Sequence, residues 1–233
     1  MTVADIYRRR AASLPKMPLE RATLPSEIYR RLKLMILDGG LKPGELVTIQ
    51  SLSRAFGVSA MPVREALQRL TGERALTVIS GRSVGIPQLA ADRLRDLTNV
   101  RMALEGTAAE WAAARISADD LIKLGSLVTV MRKAAAAGDT RAYVHANYDF
   151  HFTIYGAAGS ETLLGVIEGL WLQVSPYFHL LHGSGNYIDA NVQHRLALQA
   201  LKRRDARSCG KHIRQDIRAA TEVLLRLLGP GPV

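Results

Sequence analysis

The side chains best able to do chemistry cluster late in the chain: all six histidines, His145, His151, His179, His182, His194 and His212, lie beyond residue 140. Asn147 and His151 stand four apart, and Phe150 and Ile154 beside them are apolar. A helix through this stretch therefore turns the Asn–His pair inward. A buried polar pair needs partners. His194 sits near the start of a later helical stretch, and His212 and Asp216 are again four apart on the last one. Three helices can thus direct nitrogen and oxygen donors at one interior point. That donor set suits a divalent metal such as Zn²⁺, Ni²⁺ or Mn²⁺. The bland alternative is a hydrogen-bonded polar cluster without an ion, for which Asn147 and Asp216 supply acceptors. A metal-dependent hydrolase is the catalytic alternative. It needs an open metal position and a placed base, and no H-E-x-x-H pattern is present.

A second set of polar residues lies early. Val63, Ala66, Leu67 and Leu70 follow i, i+3, i+4, i+7, which leaves Ala60, Arg64 and Gln68 on the opposite face, with Met61 beside them. Arg64 can fork onto a guanine edge or a phosphate, Gln68 suits adenine, and Ala60 or Met61 can touch a thymine methyl. Free N–H groups at the Ser59 end can hold a phosphate. The bland reading of Arg64 is a surface pair with Glu65 or Glu45.

These residues need elements to hold them. Ser26 is a candidate cap for a first helix ended by Gly39-Gly40, and Thr48 for a short second helix through Phe56. Gly57-Val58-Ser59 turns the chain into the third helix, whose Pro62 falls in the first turn, where no N–H is missed. Two apolar runs, 76–79 and 84–86, joined by Ser80-Gly81-Arg82-Ser83, predict a hairpin with Gly81 and Arg82 at its tip. Helix, turn, helix, hairpin is the order of a winged helix-turn-helix, with the third helix lying in the major groove of DNA. After a linker at 87–91 the pattern is helical to residue 228, with breaks at Gly138-Asp139, Gly159-Ser160, a glycine-rich loop at 182–187 and Arg203-Arg204-Asp205. The expected fold is mostly α: a flexible basic arm (1–22), a winged helix-turn-helix (23–88) and an all-α helical bundle (89–228).

Charge agrees. The chain of 233 residues carries a net +10. Residues 1–88 contribute +7 (14 Lys/Arg against 7 Asp/Glu) and residues 89–233 only +3 (17 against 14), so the excess sits where DNA is expected. The single cysteine, Cys209, excludes an intrachain disulfide and suits a reducing cytoplasm. No apolar run approaches the ~20 residues of a membrane span, and Arg8-Arg9-Arg10 is followed by no apolar signal core.

The stretch Leu41-Lys42-Pro43-Gly44-Glu45, then Leu52-Ser53-Arg54-Ala55-Phe56-Gly57-Val58-Ser59, then Pro62-Val63-Arg64-Glu65-Ala66-Leu67-Gln68-Arg69-Leu70 closely resembles the GntR family of regulators. Arg101-Met102-Ala103-Leu104-Glu105, Phe150-His151 and Gln193-His194-Arg195 leading to Arg203-Arg204-Asp205-Ala206 are similar to its FadR-type helical effector domain, termed FCD. The family often has Arg-Thr where this chain has Ala60-Met61, so one readout arginine is missing. Metal-binding members of the resembling subgroup use Asp or Asn four residues before a His, then two later histidines. The first three positions correspond to Asn147, His151 and His194. The fourth corresponds to Asp216, where the family usually has His, and His212 one turn earlier is its possible substitute. An aspartate there keeps a ligand but hardens the site toward oxygen-preferring metals. The resemblance also implies a pocket-facing Arg101 near the effector, whose bland reading is an i, i+4 pair with Glu105. A metal and a guanidinium together favour a small carboxylate, with Tyr148 shaping the pocket. The function implied is a homodimeric, cytoplasmic transcription regulator, a repressor, that binds a double-stranded DNA operator under control of a small organic acid. The alternative is a constitutive DNA-binding protein with a purely structural metal.

Overall fold

The computed structural model describes residues 24–229 apart from Arg82. The expected basic arm and the wing-tip Arg82 therefore lie outside the described residues. The first helix, α1 (Leu24–Leu37), buries Ile28, Leu32 and Ile36 along one stripe. It is already formed at Leu24, so Ser26 lies inside it rather than capping it. Pro25 fits its first turn, where a missing N–H costs nothing.

Thr48 does cap α2 (Ile49–Phe56): its hydroxyl accepts from Ser51 N–H while Ser51 reaches back to the Thr48 backbone. Gly57 closes α2 at φ +66°, a conformation that favours glycine. α3 (Ala60–Gly72) follows with Val63, Ala66, Leu67 and Leu70 buried, as the periodicity requires. Ser59 holds the cap position of α3 without a side-chain cap bond.

The hairpin forms from β2 (Thr77–Ser80) and β3 (Ser83–Gly85), and it gains a strand the pattern did not announce, β1 (Leu46–Thr48). The sheet order is β1-β3-β2, all antiparallel. Three residues are too few to show alternation, so β1 is invisible to a period count. Gly85 admits it: a Cβ there would lie 2.9 Å from the Glu45 carbonyl oxygen.

The remaining elements are α4 (Ala91–Arg115), α5 (Ala118–Ala137), α6 (Thr140–Ala157), α7 (Glu161–Val174), a 3₁₀ helix (Ser175–Leu181), α8 (Asn186–Lys202) and α9 (Ala206–Leu228). Caps punctuate them as their sequences require: Ser117 with Asp120, Asp139 on Ala142 N–H, Ser160 on Leu163 N–H and Asp205 on Ser208 N–H. α4 lies along α9 through fully buried Ala108, Ala109, Ala112 and Ala113. Small residues also admit one large guest. Arg214 of α9 donates to the Met102 carbonyl (3.2 Å) and pairs with Glu110 (2.6 Å), occupying the space that a Cβ on Gly106 would need.

The connection 86–90 is not a loose linker. Ile86 and Leu89 are buried, and Tyr177 Oη donates to the Pro87 carbonyl at 2.5 Å. Ser175 Oγ donates to the Ile36 carbonyl (3.3 Å), and Lys33 pairs with Glu168 (2.7 Å). The helix-turn-helix thus rests on α7 and the 3₁₀ helix.

Candidate metal centre and nucleic-acid interface

The packing of α3 decides what it can offer to DNA. With Pro62, Val63, Ala66, Leu67 and Leu70 turned inward, Ser59, Ala60, Met61, Arg64 and Gln68 are exposed. Arg64 and Gln68 line one cleft with Ser80, Gly81 and Ser83, so the outer face of α3 and the hairpin form a single concave surface. No acid among the described residues pairs with Arg64: neither Glu65 nor Glu45 reaches it. Arg69 differs. Its guanidinium lies 3.7 Å from the Tyr29 ring centroid and its Nε pairs with Glu73 (3.2 Å), whose carboxylate also accepts from Tyr29 Oη. Arg69 ties α3 to α1, whereas Arg64 is a free guanidinium.

In the bundle, His151 on α6, His194 on α8 and Asp216 on α9 converge, each buried, with one ligand atom apiece all within 4.8 Å of one another. His151 Nε2 lies 3.3 Å from His194 Nε2 and 3.3 Å from Asp216 Oδ2, and His194 Nε2 lies 3.6 Å from Asp216 Oδ1. Asn147 lines the same small cavity, one turn before His151, together with Arg101, Tyr143 and Trp171. His212 turns away, its Nδ1 against Gln193 Oε1 at 2.9 Å, so of the two candidates on α9 only Asp216 joins the cluster. Position 216 stands one helical turn beyond 212, on the buried stripe with Ile213 and Ile217.

A residue that the sequence reading gave only one use organises this site. Glu105 is fully buried and accepts from Arg101 Nε (2.6 Å), Tyr155 Oη (2.6 Å) and Trp171 Nε1 (2.9 Å). The Arg101–Glu105 pair therefore forms, but in the interior and not as a weak surface pair. Arg101 still borders the cavity, near the Trp171 and Phe178 rings. Tyr155 has one proton and gives it to Glu105. Its oxygen, 2.9 Å from His151 Nδ1, must then accept from that nitrogen. The network assigns His151 the Nδ1–H tautomer, with its Nε2 lone pair facing His194 and Asp216. Tyr155 and Trp171 could have been suspected from their spacing on inward faces, but which of them touches Glu105 is a long-range fact.

The charges agree with that assignment. Burial lowers the His151 imidazole from its ordinary value despite the facing Asp216. Burial would raise the Asp216 carboxyl, but the imidazoles of His194 and His151 outweigh it and hold it below the usual carboxylate range. Two ring nitrogens and a carboxylate thus share a dry space. His194 Nδ1 is moreover buried with no hydrogen-bond partner. Nitrogen and carboxylate donors gathered this closely, with one ring nitrogen left unpartnered, make a donor set of the kind that holds a cation. On that ground the residues present fit a divalent metal, with His151, His194 and Asp216 as nitrogen and oxygen donors and Asn147 adjacent.

Tyr148, expected to shape the pocket, is not among the residues lining this cavity: it stacks on Phe152 (4.2 Å between centroids) and meets the edge of Trp171. Positions 143, 144, 147 and 151 of α6 line the cavity. Tyr143 and Tyr187, stacked at 3.7 Å, line the cavity instead. The cavity holds only about 30 Å³, room for an ion and a water or two. Cys209 takes no part, because burial pushes its thiol up to about 12.

A model of the FCD domain matches residues 96–219, and a model described as bacterial regulatory proteins, gntR family, matches residues 24–86. The HTH-type transcriptional regulator McbR of Escherichia coli (strain K12) is 29% identical over 194 residues, which cover 82% of this chain and 88% of that one. A probable D-xylose utilization operon transcriptional repressor of Paenarthrobacter nicotinovorans is 30% identical over 190 residues, covering 80% and 82%. The solved structure of E. coli McbR/YncC matches with a TM-score of 0.82 at 26% identity, over 90% of this chain and 100% of that one.

Proposed function

The chain belongs to the GntR family of bacterial regulatory proteins, with an FCD domain behind its DNA-binding one, and is a DNA-binding transcription regulator; we propose that a small carboxylate, bound beside a divalent metal in the helical domain, sets its affinity for a double-stranded operator. The observation that carries this reading is the convergence of His151, His194 and Asp216, within 4.8 Å and backed by the Tyr155–Glu105 chain. The metal, Zn²⁺, Ni²⁺ or Mn²⁺, would supply a positive centre for an oxygen ligand. His151, His194 and Asp216 hold it, Asn147 adds a neutral oxygen, and Arg101 at the cavity wall pairs with the carboxylate.

On the DNA side, Arg64 and Gln68 read base edges, Ala60 and Met61 make apolar contacts, and Ser59, Gly81 and Arg82 meet the backbone. One recognition helix reads a short half-site, so we propose a homodimer on a near-palindromic operator. Its contact face is apolar surface left open on adjoining helices: Val100 and Trp111 on α4, and Val166 on α7 between Gly165 and Gly169, where nothing lies within 4 Å of an added Cβ. The signal route is the 3₁₀ helix. Phe178 and Leu181 border the cavity, while Ser175 and Tyr177 hold Ile36 and Pro87 on the DNA side. A ligand acts only through unequal affinity for two dimer geometries, and a typical coupling of about 1–3 kcal/mol changes operator affinity about 5–150-fold. The part is that of a repressor, in a cytoplasmic protein and not an enzyme. A relative bears the word repressor in its name, and no helix among the described residues is long and apolar enough to cross a membrane.

The test is metal analysis with operator titrations, with and without small organic acids. His151→Ala and His194→Ala should lose metal and ligand response yet bind operator as before. Asp216→Ala should weaken metal more than His212→Ala. Full metal occupancy in both histidine variants would refute the site, and a surviving response would refute the mechanism. The small cavity favours a second reading, a structural metal in a constitutive binder. In that case chelation lowers the melting temperature and no acid changes operator affinity.

A further inference from the structure

α8 has two working faces. One carries His194 and Tyr187 toward the metal cluster and its cavity. The other, with Ile188, Asn191, Val192 and Arg195, forms one wall of an open groove of about 350 Å³, whose opposite wall is α5 with Val128 and Arg132. This volume lies within the range of drug-sized ligand sites and far exceeds the central cavity of about 30 Å³.

Three features give the groove a chemistry. Its walls carry Val128, Ala135, Ile188 and Val192, with Ile188 exposed on the rim. Arg132 and Arg195 border it, and neither pairs with an acid among the described residues. Asn191 is 9% exposed, and its Oδ1 is one of only two buried side-chain atoms among the described residues without a hydrogen-bond partner. A buried, unpaired amide oxygen is costly unless something meets it. The second such atom belongs to the metal cluster already described.

We propose that the α5–α8 groove is a second ligand site, for an amphipathic carboxylate. Its apolar body lies along Val128, Ile188 and Val192, its carboxylate meets the Arg132 and Arg195 guanidiniums, and a hydroxyl or amide on the body donates to Asn191 Oδ1 in the fullest case. Because α8 carries a metal donor on its other face, an occupied groove and a loaded metal site bias one helix and are coupled reciprocally. The proposal stands apart from the reading of the central site, and the test keeps the two distinguishable.

The probe is octanoate, titrated by calorimetry into the full-length protein, with acetate and 1-octanol as controls for body and head. Octanoate is expected to bind at least tenfold more tightly than either control. The double variant Arg132→Gln/Arg195→Gln should lose at least tenfold in octanoate affinity while keeping its metal content and its unliganded operator affinity. Both side chains are exposed, so the variant is expected to fold. His151→Ala should bind octanoate still, which separates this groove from the central cavity. Octanoate binding unchanged in the double arginine variant, or abolished in His151→Ala, overturns the proposal. So does sedimentation showing that Ile188→Glu turns a dimer into a monomer, which makes the groove a contact between two copies of the chain.

Discussion

Replacing Tyr155 with Phe removes one oxygen and tests the whole logic of the metal centre. That oxygen accepts from His151 Nδ1–H at 2.9 Å and donates to Glu105 at 2.6 Å. Without it, the buried His151 ring loses the contact that selects its tautomer, so the proton can occupy Nε2, the atom facing His194 and Asp216. Outer partners of this kind are worth about 10–100-fold in metal affinity, or roughly 1.4–2.8 kcal/mol at 1.4 kcal/mol per decade. The apo protein also loses stability, by about 1–3 kcal/mol for the unpaired N–H. Glu105 is not left bare, because Arg101 and Trp171 still donate to it. Tyr143→Phe is the matched control. It removes a buried hydroxyl from the same cavity, but one that donates only to the Tyr187 carbonyl at 3.3 Å. It should cost about 0.5–1.5 kcal/mol of stability and leave metal affinity alone. Competition against a fluorescent chelator for Zn²⁺, Ni²⁺ and Mn²⁺, beside thermal melts, reads both quantities. Equal metal affinities for the wild type and Tyr155→Phe would sink the tautomer argument, even with the cluster intact.

Arg64→Ala should weaken operator binding by about 1–3 kcal/mol with no change in melting temperature. Arg69→Ala should do the reverse, losing about 0.5–1 kcal/mol of stability as its stacking on Tyr29 goes, with operator affinity read by fluorescence anisotropy. Gly106→Ala should destabilise by about 1–3 kcal/mol through collision with the Arg214 guanidinium; on an Arg214→Ala background it should instead stabilise by up to ~1 kcal/mol through helix propensity, a sign reversal that chemical denaturation detects. Tyr177→Phe should lower stability by about 0.5–1.5 kcal/mol and shrink the ligand-induced change in operator affinity while metal content stays at the wild-type level. An unchanged ligand response in Tyr177→Phe would place the signal route elsewhere.

Much of this was legible because local rules act within one turn of chain. Thr48, Ser117, Asp139 and Asp205 cap helices that their own side chains announce. The buried face of α3 follows from four residues, and with it the exposure of Arg64 and Gln68. The inward placement of Asn147, His151, His194 and Asp216 followed from the i, i+4 pattern and the family spacing. Where the reasoning failed, the deciding contact was distant in sequence or finer than one helical step. Tyr148, expected to shape the pocket, stacks on Phe152 and is not among the residues lining the cavity. β1 exists because Gly85 lets the 46–48 segment close on β3, an event of tertiary packing.

The least legible feature bears most on regulation. Pro87–Leu89 reads as a linker by every local signal, since a proline without a neighbouring period ends an element. Three contacts make it part of a joint. Tyr177 fixes the Pro87 carbonyl, Leu89 is buried, and Lys33 of α1 meets Glu168 of α7. A flexible tether would let the helix-turn-helix ignore the state of the bundle, because an unrestrained segment transmits no orientation. In the proposed mechanism a joint through the 3₁₀ helix passes that state on. Phe178, which walls the central cavity, is the next residue after Tyr177, so a shift of that wall moves the hydroxyl holding Pro87. Within seven residues, Ser175–Leu181, the 3₁₀ helix thus touches both the cavity wall and the helix-turn-helix, which is what makes it the route proposed for the signal and Tyr177→Phe its test.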